Sequence, residues 1–107
     1  MHTLLYTWIV KIFAWDEAKN ELLKRERRIS FEEVIFHING GDLLARLNHP
    51  NSAKYPHHEI FVVLAGNYVY MVPFIEDGEK YFLKTVIPSR KLTKKFLEER
   101  MGKDETD

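Results

Sequence analysis

Between Lys84 and Lys95 the chain reads KTVIPSRKLTKK, which holds Lys84, Arg90, Lys91, Lys94 and Lys95 and no acidic residue. In a chain whose formal net charge is zero, such a local excess is a footprint for a phosphate-bearing partner. Cutting an RNA backbone without a metal ion requires three services: removing the 2′-OH proton, stabilising the crowded phosphate, and protonating the leaving 5′-oxygen. Histidine, lysine, arginine and tyrosine side chains can supply all of them. Arg90 is the first candidate for the phosphate clamp, because it follows Pro88-Ser89 at a strand-to-helix junction where the helix start adds its own attraction for an anion. Lys84 stands in a run of large apolar residues, where an inward lysine costs desolvation unless it lines a cleft or edges the sheet; an outward strand lysine is the competing account. His57 and His58 follow Tyr55-Pro56, and either can act as acid or base near neutral pH, with loop decoration as the alternative.

Lys91, Lys94 and Lys95 form a stripe suited to RNA-backbone contacts, which give affinity without sequence preference; a solvated helix face is the alternative. A second basic cluster, Lys24, Arg25, Arg27 and Arg28 in KRERR, can bind RNA, an acidic protein surface, or water. The familiar templates fail. There is no glycine-rich phosphate loop and no HExxH, and His37, His49, His57 and His58 are scattered over a helix and a loop, so neither a metal site nor a cofactor is expected. Ser30 and Ser89 are accounted for as helix caps, and Ser52 has no evident activating base. Glu32-Glu33 and Glu98-Glu99 are adjacent on helices and project to different sides.

These groups need a frame. Trp8 to Ala14 reads as a strand, and Asp16 as the cap of a helix that carries Ala18, Leu22 and Leu23 toward a core. Ser30-Phe31-Glu32-Glu33 is a capping box that starts a second helix, which Gly40-Gly41 ends. From Leu43 the period becomes that of strands: Leu43 to Leu47, Glu59 to Leu64, Tyr68 to Phe74 and Lys80 to Ile87, with a final helix from Ser89 to about Arg100. The order β-α-α-β-β-β-β-α predicts an α+β domain, an antiparallel sheet with helices packed on one face. If Gly66-Asn67 and Asp77-Gly78 are two-residue turns, Ala65 faces Tyr68 and Glu76 faces Glu79. Phe61, Val63, Tyr70, Val72, Leu83 and Thr85 then share the covered face, and His58, Met71, Lys80 and Lys84 lie on the other, a half-open surface with basic groups planted in it.

A length of 107 residues, 45% of them apolar and 30% charged, fits one domain. Cysteine is absent, which removes disulfides and thiolate metal sites and favours a cytoplasmic location. The run Leu4 to Phe13 is interrupted by Lys11 and too short to span a bilayer, so no membrane role is expected. Residues 1–98 are read as the domain and 99–107 as an acidic, disordered tail, with solubility as its plain role and shielding of the basic helix as a sharper one.

Phe13-Ala14-Trp15-Asp16-Glu17-Ala18-Lys19-Asn20, then Ile29-Ser30-Phe31-Glu32-Glu33, then Ile87-Pro88-Ser89-Arg90-Lys91 with Thr93-Lys94-Lys95 resemble, in order and spacing, the BrnT-type toxins of bacterial toxin–antitoxin systems. The resemblance covers about residues 13–98. It implies a RelE-like fold, a metal-independent ribonuclease that inhibits translation by cutting RNA, and a tightly bound cognate antitoxin that also represses transcription. The residue reading and the resemblance together give the expected catalytic set: Arg90 binding the scissile phosphate, Lys84 or Arg27 assisting and His58 as candidate base or acid, with Lys91, Lys94, Lys95 and Lys24 binding RNA; of the four catalytic candidates, Arg90 matches the family pattern. Arg27 stands where the family pattern has a histidine, and Thr85 where it has an arginine. The alternative expectation is a non-catalytic RNA- or antitoxin-binding module of the same fold, as a homo-oligomer or a toxin–antitoxin hetero-oligomer.

Overall fold

The computed structural model describes residues 12–105 of the 107, with side chains for residues 12–100. Most of the strand expected over Trp8–Ala14 therefore lies outside the described residues, and its end is β1, Ile12–Trp15. Asp16 caps α1 (Glu17–Arg27) by accepting the Ala18 N–H at 2.9 Å, and Ser30 caps α2 (Phe31–Asn39) by accepting that of Glu33 at 3.1 Å. Between them Arg28 adopts φ 55°, the left-handed conformation that ends helices and that glycine usually supplies. Asn20 fixes the corner. It is fully buried, accepts the Phe31 N–H through Oδ1 at 2.8 Å, and donates through Nδ2 to Glu32 at 2.8 Å.

Five further strands follow: β2 (Leu43–Asn48), β3 (His58–Ala65), β4 (Tyr68–Asp77), β5 (Lys80–Leu83) and the two-residue β6 (Ile87–Pro88), before α3 (Arg90–Glu105). The sheet order is β1-β5-β4-β3-β2, with β6 also on β4. The sheet is mixed, where an antiparallel one was expected, because β1 runs parallel to β5. Two helices and three strands separate these neighbours, length enough for the chain to return in its original direction.

The first hairpin has the expected register: Gly66 (φ 57°) and Asn67 (φ 66°) form the turn and Ala65 pairs with Tyr68. The second turn is one residue later than expected. Gly78 (φ 60°) takes the first central position and Glu79 the second, so Asp77 pairs with Lys80 and Glu76 with Tyr81. Face assignments survive this shift as far as Leu83. Beyond it, Lys84 N–H donates to the Pro73 carbonyl at 2.8 Å, and pairing resumes only at Ile87 with Met71, so Lys84–Val86 bulge opposite two residues of β4. Pro73 has no N–H with which to continue the ladder. The bulge turns Val86 into the core and displaces Thr85, which was expected there.

The helices do not share one face. Leu23, Ile29, Phe31 and Val34 of the α1–α2 unit pack on Phe61, Val63, Val72, Phe74 and Leu83, with Phe61 and Phe74 stacked 3.8 Å apart. Leu92 and Phe96 of α3 cover Ile60, Val62 and Val69 on the other side. β3 dictates this division, since four successive residues, Ile60–Val63, are all buried, and a strand apolar on both faces needs cover on both. Thr93 fastens α3 to the sheet: its Oγ1 accepts the Val69 N–H at 2.8 Å and donates to the Ser89 carbonyl at 2.7 Å. α3 runs through residues 99–105 to end at Glu105. Their sequence is mostly of good helix formers, and a Lys94–Glu98 pair at 4.0 Å spans one turn just before them. No described helix is long and apolar enough to cross a membrane.

Candidate nucleic-acid interface

The two basic clusters, distant in sequence, meet at one edge of the fold. Arg27, in the last turn of α1, donates through Nη1 to the carbonyl of Val86 in the β5–β6 bulge. Val86 precedes Arg90, the first residue of α3, by four positions. Ser89 caps α3 by accepting the Leu92 N–H at 3.1 Å, and its own N–H is held by the Val69 carbonyl at 2.9 Å, so the corner that carries Arg90 is anchored to β4. Arg27, Arg28, Arg90 and Lys91 are all exposed there. Among the described residues Arg90 makes no hydrogen bond or ion pair, which leaves its guanidinium open to an incoming anion beside a helix N-terminus.

The remaining predicted residues divide by position. Lys84 is exposed on the α3 face, its Nζ 5.3 Å from the Phe82 ring centroid. His58 lies on that same face, as expected, in the row Phe82–Ile75–His58 across three strands, roughly 10 Å from Phe82 at two strand spacings. His58 is not near Arg90. It pairs with Ile75, six residues along β4 from Val69, where Ser89 is bound, a separation of roughly 20 Å. Its ring instead meets Tyr55 at 5.1 Å and His49 at 6.1 Å, where the 49–57 loop closes. Lys24 is engaged by Glu21 at 3.0 Å, and that hydrogen bond holds its pKa above the usual lysine value. Lys94 reaches Glu98, and Lys95 flanks a groove between α3 and β2. His37 bonds Asp42 at 3.2 Å beside β2, on the far edge, and among the described residues no three His, Asp or Glu side chains converge as metal ligands.

Two tyrosines adjoin the basic corner. Tyr70 pairs with Pro88, and its ring lies 5.6 Å from that of Tyr68. Burial, followed by the nearby Glu33 carboxylate, pushes the Tyr70 hydroxyl above its ordinary pKa, so it stays protonated as a hydrogen-bond donor. A pair of aromatic rings beside unpaired cations is the combination that stacks bases while holding a phosphate backbone.

Arg46 is the residue that sequence reading missed. Its Nε and Nη2 bind both oxygens of Glu59 at 2.7 and 2.8 Å, Nη2 also reaches Glu76 at 2.9 Å, and Nη1 donates to Tyr81 Oη at 3.1 Å. The guanidinium lies over the rings of Phe74 and Tyr81, 5.2 and 5.4 Å from their centroids. Arg46 holds the Glu59 carboxyl below the usual carboxylate range, and Glu59 in turn raises the guanidinium's own pKa. The signal was present: Glu59 and Glu76 sit at core-facing parity on neighbouring strands, and such carboxylates call for a cation between them. Compared with the models of known protein families, with curated proteins and with solved structures, the chain matches none.

Proposed function

We propose that this chain is the toxin of a toxin–antitoxin pair, a metal-independent endoribonuclease that engages RNA along the edge formed by Arg27, Arg28, Arg90 and Lys91. The observation that carries this reading is the bond from Arg27 to Val86, which brings the basic end of α1 to the basic start of α3. Charge gathered from two distant segments onto one anchored corner is what a polyanionic backbone recognises. The order and spacing of the segments resembling BrnT-type toxins support the same assignment.

In the reaction the 2′-oxygen attacks the adjacent phosphorus, its proton passes to a base, the bond to the 5′-oxygen breaks, and that oxygen takes up a proton. The products are a 2′,3′-cyclic phosphate and a 5′-hydroxyl. Arg90 and Arg27 offset the charge that builds on the phosphate, and Tyr68 and Tyr70 offer stacking surface to the flanking bases. Arg28 and Lys91 extend the track for the strand.

A second reading, an RNA-binding module without chemistry, is favoured by a specific observation. Among the described residues no imidazole stands at this edge, and His58 lies roughly 20 Å from the α3 cap. One experiment separates the two. Purified protein is incubated with end-labelled single-stranded RNA in excess chelator, and products are examined for cyclic-phosphate ends. The enzyme reading expects cleavage that falls about 100-fold in Arg90→Ala. Salt-sensitive binding without cleavage establishes the module, and the absence of both removes RNA as the target.

A further inference from the structure

Arg28, Ile29 and Ser30 join α1 to α2, and their conformation is dictated from both sides. Ile29 and Ser30 are buried, Ser30 caps α2, and Asn20 of α1 holds the Phe31 N–H. The chain therefore leaves the helical path at a single residue after α1, and Arg28 makes that turn at φ 55° and ψ 36°. A residue with a Cβ is strained there, which is why glycine, and after it asparagine, usually ends a helix in this way. Among the described residues one other non-glycine has positive φ, and it is an asparagine, Asn67 in a hairpin turn. Strained residues whose surroundings over-determine them gather at functional sites.

Folding gains little from an arginine at this position. Arg28 is exposed, and among the described residues its side chain makes no hydrogen bond or ion pair. A cation near the negative end of a helix is favourable, but Lys24, Arg25 and Arg27 in the last turn of α1 already supply that attraction. What Arg28 adds is a second guanidinium next to Arg27, at the corner where α1 meets the bulge that leads into α3.

We propose that Arg28 is a strained phosphate-binding residue, at which the fold forgoes stability to set a charge beside Arg27 on the RNA backbone. This rests on the RNA reading above and adds to it a conflict at one position. The residues that fit the left-handed backbone best, glycine and asparagine, carry no charge. Arginine and lysine carry the charge and strain the turn.

Two measurements on three variants test it. Arg28→Gly should raise the melting temperature by about 3 to 5 °C, through relief of the left-handed strain. It should also reduce the slope of log affinity against log salt by about 0.7, the share of one phosphate contact. Affinity is measured on single-stranded RNA methylated at its 2′-oxygens, which lacks the attacking hydroxyl and cannot be cut. Arg28→Asn should move both quantities in the same directions. Arg28→Lys keeps charge and strain together, and should restore the slope without the gain in melting temperature. If the Arg28→Gly slope equals that of the wild type while Arg90→Ala lowers it, the proposal is overturned and the RNA reading stands. A melting temperature that Arg28→Gly lowers or leaves unchanged overturns it as well, because the arginine then does not burden the fold. A wild-type chain that does not bind this RNA removes both.

Discussion

A few side chains hold positions that their neighbours cannot supply. Asn20 is the plainest case, because it is buried without exposure and satisfies the Phe31 N–H that α2 would otherwise leave orphaned. Asn20→Ala should lower unfolding free energy by about 2 kcal/mol in urea titration, the cost of a buried donor left unpaired. Arg46 has a different signature, carried by pH. Glu59 has a folded pKa below its ordinary 4.5, so its contribution is complete above that value and is lost as pH falls through the lower folded value. Thermal unfolding should therefore show stability declining on the acid side of about pH 4.5, and Arg46→Gln should flatten that limb by releasing Glu59. If the acid limb is unchanged in Arg46→Gln, the ion-pair hub is not what depresses Glu59.

At the scale of elements, α3 and the end of α1 act as one electrostatic unit with separate anchors. Thr93→Val keeps the side-chain shape but leaves the Val69 N–H unpaired, and should cost about 1 to 2 kcal/mol in the same urea titration while loosening α3 in hydrogen exchange. The cations respond to salt. Arg27→Ala and Arg90→Ala should each reduce the slope of log affinity for single-stranded RNA against log salt by about 0.7, and the double variant by about twice that. Slopes unaffected by Arg27→Ala would mean that the two clusters do not bind one strand. Lys24→Ala should change the slope least, because Glu21 already offsets its charge.

Across the whole molecule, the legible features were those set by neighbours in sequence. Asp16 and Ser30 announced their helices, Gly66-Asn67 fixed a hairpin register, and strand parity placed His58 and Lys84 on one face. What sequence could not yield depended on contacts between distant elements. The bulge at Lys84–Val86 arises because Pro73, on another strand, has no N–H to offer, and it exchanged Thr85 for Val86 in the core. The side taken by α3 followed from Ile60 and Val62 being buried alongside Phe61 and Val63, a choice that no single-strand periodicity resolves. Arg90 and Arg27 were each visible, but their meeting rests on a hydrogen bond across most of the chain.

The parallel pairing of Ile12–Trp15 with Lys80–Leu83 carries a temporal consequence. A nascent chain leaving the ribosome presents this first strand long before its partner is synthesised, so Phe13 and Trp15 wait with one flank uncovered until the last hairpin emerges. Sheet completion then waits on the β4–β5 hairpin, and the basic corner, which joins the end of α1 to the segment after that hairpin, is assembled later still.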